Sequence, residues 1–200
     1  MRSVNMDEMD IRGKLMEMLT DSGALLEGHF LLTSGLHSGH YLQCALLLRF
    51  PWYASFAGEE LAKLIKPFGP EIIASPALGG IIIGHEVARA LGVPFIFCER
   101  EDGRMKLRRF PTPEGMKFAV IEDVVTTGGS VAEVGELLKS MGGIWVASGC
   151  IVDRSGQNGF AKLPGELLSL AKMSFPVYRP DECPLCGRGL PLVKPGSRKR

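Results

Sequence analysis

Phe118-Ala-Val-Ile-Glu-Asp-Val-Val-Thr-Thr-Gly-Gly-Ser130 sets four apolar residues ahead of two adjacent carboxylates and a small, glycine-rich turn. Phe118 to Ile121 reads as a central strand of a parallel sheet, apolar throughout because both of its faces are covered. Thr126 to Ser130 offers successive backbone N–H groups at the positive end of a helix that begins near Val131. Glycines there tolerate left-handed geometry, so the turn can hold a phosphate without a cation. Glu122 and Asp123 stand just before this cradle, placed to accept hydrogen bonds from the hydroxyls of a phosphorylated sugar. No Gly-Lys-Ser/Thr follows, which excludes a nucleotide P-loop, and the spacing of a dinucleotide-binding turn is missing.

Outward from this stretch the chain alternates helix and strand. Asp10 to Asp21 carries a helical apolar face (Ile11, Leu15, Met18, Leu19), and Gly23 is suited to end it. Ala24–Thr33 and Tyr41–Leu48 read as two strands joined by the turn Ser34–Gly39. Pro51–Lys66 is a helical pattern with proline in its first turn. Strand Glu71–Ser75, a Gly79-Gly80 turn, helix Ile81–Leu91 and strand Pro94–Cys98 follow. After the polar stretch Glu99–Glu114 come the signature strand, a helix to Met141, strand Ile144–Val152 and a strand within Leu168–Tyr178. The pattern predicts an α/β fold with a central, mostly parallel sheet flanked by helices and joined by right-handed crossovers. One domain is expected over 1–200, with a core at about 50–156; about 10–48 and the C-terminal part lie outside that core.

Composition agrees with a small soluble enzyme. A chain of 200 residues with 46% hydrophobic content buries one good core. A net charge of +1 supplies no field to recruit nucleic acid or membrane, although Ser197–Arg200 is locally basic. No apolar run is long enough to span a bilayer, and Met1–Asp10 lacks the apolar centre of a signal peptide. Cys44, Cys98 and Cys150 lie in apolar segments, a usage that suits a reducing compartment; the cytoplasm is expected.

Ligands of such sheets sit beyond the carboxyl ends of the strands. Three further loops therefore face the signature turn. Ser75–Gly80 brings two glycines to a helix start. Cys98–Arg109 carries Arg100, Arg104, Lys106, Arg108 and Arg109 among Glu99, Glu101 and Asp102. Those acids make a solvated, charge-compensated loop the plain alternative to a functional one. Ile151–Gly156 presents Arg154, which can grip a planar carboxylate through two parallel hydrogen bonds or pair with Asp153 at the surface.

The run Glu122-Asp-Val124-Val125-Thr126-Thr127-Gly128-Gly129-Ser130 resembles the signature of the type I phosphoribosyltransferases, which bind phosphoribosyl pyrophosphate (PRPP). His29-Phe-Leu-Leu-Thr-Ser-Gly-Leu-His-Ser-Gly-His-Tyr-Leu-Gln43 resembles the hood of their orotate-specific branch, and with Asp153-Arg-Ser-Gly156 the likeness runs from about Asp10 to Gly156. The resemblance implies that the signature residues and Gly79-Gly80 hold PRPP. It implies that Thr126, Arg154, Ser34 and Gly35 orient orotate, and that a lid over residues 99–114 brings Arg100, Arg104 and Lys106 to the leaving pyrophosphate. Mg²⁺ carried by the substrate, a homodimer and a lid shared between subunits come with it. Two departures stand out: Leu78-Gly79 where many relatives have a lysine, and Thr33 where bacterial relatives often have one. A purine-type transferase and a non-catalytic, nucleotide-sensing regulator are the alternative readings; the hood with Arg154 and the cationic lid weigh against them.

Cys183-Pro-Leu-Cys186 supplies half of a zinc site. No second Cys pair or neighbouring His completes it along the chain, and His29, His37, His40 and His85 lack paired helical spacing. An inert turn is the expectation, with no metal bound by the protein itself; zinc shared across a dimer is the alternative. The tail from Cys183 also resembles the ending of one group of orotate-specific members.

Overall fold

Why the signature strand is apolar without interruption is visible in the computed structural model, which describes residues 6–32, 34–156 and 163–195. Strand β6 (Lys117–Val125) lies inside the sheet, and its side chains alternate between two cores. Ala119 and Ile121 face a core made with α1 (Met6–Asp21), α3 (Pro51–Ile65) and α4 (Gly80–Leu91). Phe118 and Val120 face the other, closed by α5 (Gly129–Ser140) through Val131, Val134 and Leu138. All four strand residues are fully buried. Burying each of the larger ones is worth roughly 1.5–3 kcal/mol before entropy is counted.

The strands beside it are β3 (Ile72–Pro76), β4 (Phe95–Glu101), β5 (Arg104–Lys106), β7 (Ile144–Asp153) and β8 (Leu168–Lys172). Their order is β5-β4-β3-β6-β7-β8, parallel except for the β4–β5 pair. This is the expected mostly parallel α/β sheet. Thiols Cys98 and Cys150 are buried in its strands and Cys44 in the core packed on it, and burial pushes all three up, Cys98 to about 11. They are packing residues, not nucleophiles.

A second sheet forms the hood: β1 (Leu25–Leu31), β2 (His37–Leu42) and β9 (Val177–Tyr178), in that order and antiparallel. Three expectations are corrected here. The second hood strand begins at His37 rather than Tyr41, and Cys44–Leu48 is a short helix, α2, whose apolar residues Cys44, Leu47 and Leu48 are buried. An apolar run of this length cannot reveal its own secondary structure. The single strand expected within Leu168–Tyr178 is two, β8 in the main sheet and β9 in the hood. Thr33 and the basic tail fall outside the described residues.

The tail is also more structured than its Pro/Gly content suggests. Pro184–Gly187 forms a helical turn, α6, and Val193 both donates to His29 O and accepts from Leu31 N–H, each at 2.8 Å. The expectation that Cys183 and Cys186 lack a histidine neighbour is overturned. His29 and His37, eight residues apart along the hood hairpin, place their ring nitrogens beside both sulfurs.

Candidate active site

Three adjacent strands deliver the site. At the end of β6, Gly128 adopts φ 75°, a left-handed turn that glycine enters without strain, and α5 begins at the next residue. Glu122, Val124, Val125, Thr126, Thr127, Gly128, Gly129, Ser130 and Val131 line an open concavity of about 60 Å³. Thr126 and Thr127 are exposed. The first N–H groups of a helix have no partner within it, so this turn presents donors to an anion.

Glu122 and Asp123 are half-buried, and β3 brings its following loop against them. A Cβ on Gly79 would stand 2.8 Å from Asp123 Oδ1, and one on Gly80 would stand 2.9 Å from Ile121 O and 3.1 Å from Glu122 Oε1. Only glycine fits between loop and acids, so the Gly79-Gly80 turn shares a wall with the carboxylates. Burial first, and the neighbouring Asp123 second, push the Glu122 carboxyl up, to about 9. Two carboxyls crowded in this way want hydrogen-bond donors or a cation. Their hard oxygen donors are a set that suits Mg²⁺. In the same loop Leu78 is 84% exposed.

β7 supplies the third part. Its register sets Asp153 beside Val125, and Arg154 N–H donates to Val125 O at 2.7 Å, tying the two strand ends together. Asp153 is buried and accepts from Ser155 N–H (2.9 Å) and Ser155 Oγ (2.7 Å). It shapes the turn instead of forming a surface pair with Arg154. Arg154 is half-buried, and its Nε is buried without a hydrogen-bond partner among the described residues. Burial pulls its guanidinium pKa down. An arginine cannot shed its charge to escape this. The site is thus prepared for an anion.

Sequence reasoning missed the surroundings of Arg154. Phe175, on the link from β8 to β9, lies under the guanidinium, and His40 of β2 stacks on the same ring at 4.9 Å with planes 13° apart. His40 Nδ1 is buried and, like Arg154 Nε, lacks a hydrogen-bond partner among the described residues. The hood therefore meets the core at an aromatic platform edged with polar atoms. No motif marks Phe175; only a strand end followed by an isolated aromatic could have hinted at it. Ser34 and Gly35 lie exposed in the β1–β2 turn, with Gly35 N–H donating to Leu32 O at 3.0 Å.

The polar stretch begins as an ordered hairpin rather than as a loop. β4 continues through Glu101, turns at Asp102 and Gly103, and returns as β5. Arg100 pairs with Glu133 of α5 at 2.6 Å, and Met105 N–H donates to the same carboxylate at 2.8 Å. Lys106 and Arg108 both pair with Glu101, and Arg109 pairs with Glu99. Arg104 makes no ion pair among the described residues. The charge-compensated arrangement is the one observed, and Glu133 anchors it to α5, the helix that follows the Gly128 turn.

Comparison with known proteins agrees with this geometry. The phosphoribosyl transferase domain family matches residues 56–162. Orotate phosphoribosyltransferase of Thermotoga maritima is 54% identical over 185 residues, covering 92% of this chain and 98% of its own. That of Desulforamulus reducens is 50% identical over 189 residues, with 94% and 98% covered. The solved orotate phosphoribosyltransferase of Aeropyrum pernix superposes with a TM-score of 0.67 at 26% identity, over 80% of this chain and 93% of that one.

Proposed function

The chain belongs to the phosphoribosyltransferases, in their orotate-specific branch, and from that premise we propose how its residues divide the work. The reaction transfers the phosphoribosyl group of PRPP to orotate, giving orotidine 5′-phosphate and diphosphate for pyrimidine synthesis. Thr127 to Ser130 hold the 5′-phosphate through backbone N–H groups. Glu122 and Asp123, with Val124 and Val125 as their backbone frame, accept from the ribose hydroxyls. Gly79 and Gly80 let the pyrophosphate approach the main chain. Arg154 takes the orotate carboxylate, with Thr126 and the hood turn Ser34-Gly35 beside the base.

The observation that carries this reading is the partnerless Arg154 Nε, buried one strand away from the crowded acid pair. A purine base offers no carboxylate to that fork. Bond breaking at the anomeric carbon develops positive charge on the sugar and negative charge on the diphosphate. The residues' task is then charge placement and exclusion of water. Arg100, Arg104 and Lys106 would serve the departing charge. For Lys106 that requires exchanging Glu101 for the diphosphate, and for Arg100 exchanging Glu133. Mg²⁺ bound with PRPP would be held by the substrate's oxygens and, through the hydroxyls, by Glu122 and Asp123, where it neutralises diphosphate charge. The working unit is a cytoplasmic homodimer whose lids cross between subunits.

The test is turnover of orotate with PRPP and Mg²⁺, measured against adenine, hypoxanthine and uracil. Orotate alone is expected to be consumed. Turnover of a purine, or of no base by folded protein, overturns the reading.

A further inference from the structure

We propose that His29, His37, Cys183 and Cys186 form a structural zinc site that locks the hood to the C-terminal segment. The four side chains come from three elements, β1, β2 and the turn opening α6, yet their ligand atoms all lie within 4.8 Å of one another. His29 Nε2 is 3.0 Å from His37 Nδ1 and 3.5 and 3.7 Å from Cys183 and Cys186 Sγ; His37 Nδ1 is 3.3 Å from Cys186 Sγ. With Zn–N of about 2.0–2.1 Å and Zn–S of about 2.3 Å, neighbouring ligands of a tetrahedral zinc stand roughly 3.3–3.8 Å apart. The three His–Cys distances of 3.3, 3.5 and 3.7 Å fall in this range, the two ring nitrogens stand somewhat closer at 3.0 Å, and every ligand pair lies within 4.8 Å.

The surroundings favour a metal over chance packing. His29 Nδ1 lies 2.8 Å from Leu190 O, an acceptor only, so Nδ1 carries the proton and the Nε2 lone pair points at the two sulfurs. An outer-shell carbonyl that fixes the ring in this way is the usual companion of a zinc-bound histidine. His29, His37 and Cys183 are buried. The register of β1 against β2 shifts between Glu27 and Phe30, and the resulting bulge leaves His29 and Phe30 buried in succession. Without that bulge a strand would turn one of them outward. Two thiolates and two imidazoles are a donor set for zinc, not for the oxygen-seeking ions.

The position gives the metal a task. His29 and His37 bracket the turn that holds Ser34 and Gly35, and Cys183 follows β9, the third hood strand. One ion would therefore fix both feet of the turn and the segment that completes the sheet.

Untagged protein from zinc-supplemented cells, dialysed against a weak chelator, is expected to hold about one zinc per chain by elemental analysis. The apo protein titrated with Co²⁺ should show the visible bands of a tetrahedral site with thiolate charge transfer. Cys183→Ser and His37→Gln should each weaken zinc binding by more than the roughly 10–100-fold typical of losing an outer-shell partner. Cys98→Ala, which removes a core thiol, should retain the metal. If the ligand variants do not fold, the cobalt spectrum and native mass of the unaltered chain decide the matter. Folded, reduced protein that takes up neither zinc nor cobalt overturns the proposal. These readouts do not depend on orotate chemistry. On the function proposed above, protein stripped of zinc, freed of chelator and assayed with Mg²⁺ restored should also show KM for orotate raised more than KM for PRPP.

Discussion

The guanidinium carbon of Arg154 stands 4.9 Å from the centroid of the Phe175 ring, which holds the arginine over an aromatic face at the junction of hood and core. Because His40 stacks on that ring as well, three separate parts of the chain fix one cation. The main sheet supplies the arginine, the link after β8 the ring, and the hood hairpin the imidazole. A planar carboxylate entering here would find its fork already oriented.

Replacing Arg154 by lysine keeps the charge but removes the planar fork. Orotate kcat/KM should fall by about tenfold to a hundredfold, the size of one lost charge-assisted hydrogen bond of roughly 1.5–3 kcal/mol. PRPP affinity should hardly change. Steady-state kinetics with each substrate varied in turn checks this, and unaltered orotate kinetics would give the carboxylate another partner. Phe175→Leu removes only the platform, a cation–π contact of about 0.5–2 kcal/mol, so KM for orotate should rise more modestly.

The acid pair leads to a prediction about protons. Glu122 is held protonated well above the ordinary value of 4.5, to about 9, mainly by burial. Within that window the folded chain binds more protons than the unfolded one, so this group's contribution to stability falls as pH rises. Glu122→Gln should flatten that decline, read from melting curves between pH 5 and 9. Sugar hydroxyls and Mg²⁺ favour the ionised form, so PRPP binding near pH 7.5 should release a proton. Calorimetry in buffers of different ionisation enthalpy measures it, and a zero slope removes Glu122 from the ribose site.

Gly80→Ala places a methyl 2.9 Å from Ile121 O and 3.1 Å from Glu122 Oε1. Backbone cannot yield as a flexible side chain can, so the loop must move off the acids. PRPP affinity should drop at least about tenfold, with a loss of stability of about 1–3 kcal/mol from overpacking. Wild-type PRPP affinity in a folded variant would detach this loop from the pyrophosphate.

A lid that crosses a dimer predicts complementation. Lys106→Ala and Arg154→Ala proteins should each be nearly inactive, whereas mixed dimers should recover activity at the site that keeps both residues. Closure over the site excludes water and strengthens each cation's effect on the departing charge. Verified heterodimers without recovery would mean that the lid serves its own subunit, or that Lys106 is not the cation concerned.

The central sheet was legible because physics wrote it into order and spacing. A strand buried on both faces must be apolar throughout, and a phosphate turn must be small. The signature, the Gly79-Gly80 turn and Arg154 could therefore be read at their own positions. What escaped was long-range. Phe175 reaches Arg154 from a separate segment after β8, and His29 and His37 reach Cys183 and Cys186 across more than a hundred residues, only after folding brings them together. No local pattern encodes such meetings. The short helix Cys44–Leu48 escaped for a different reason, since a fully apolar run has no periodicity to display. The β4–β5 hairpin was hidden by its charges, whose mutual compensation was legible but which suggested a loop instead of paired strands.

The order of the hood strands has a consequence for how this protein is made. β6 and its neighbours β3 and β7 come from one continuous stretch of chain, so the sugar-phosphate half can assemble as that stretch leaves the ribosome. The β1–β2 hairpin, although synthesised first, waits for Val177 and Tyr178 before its sheet is whole, and Arg154 gains Phe175 only just before them. Sequence separations of this size make closure the slow step. A nascent chain is therefore expected to be able to hold phosphate before it can distinguish one base from another.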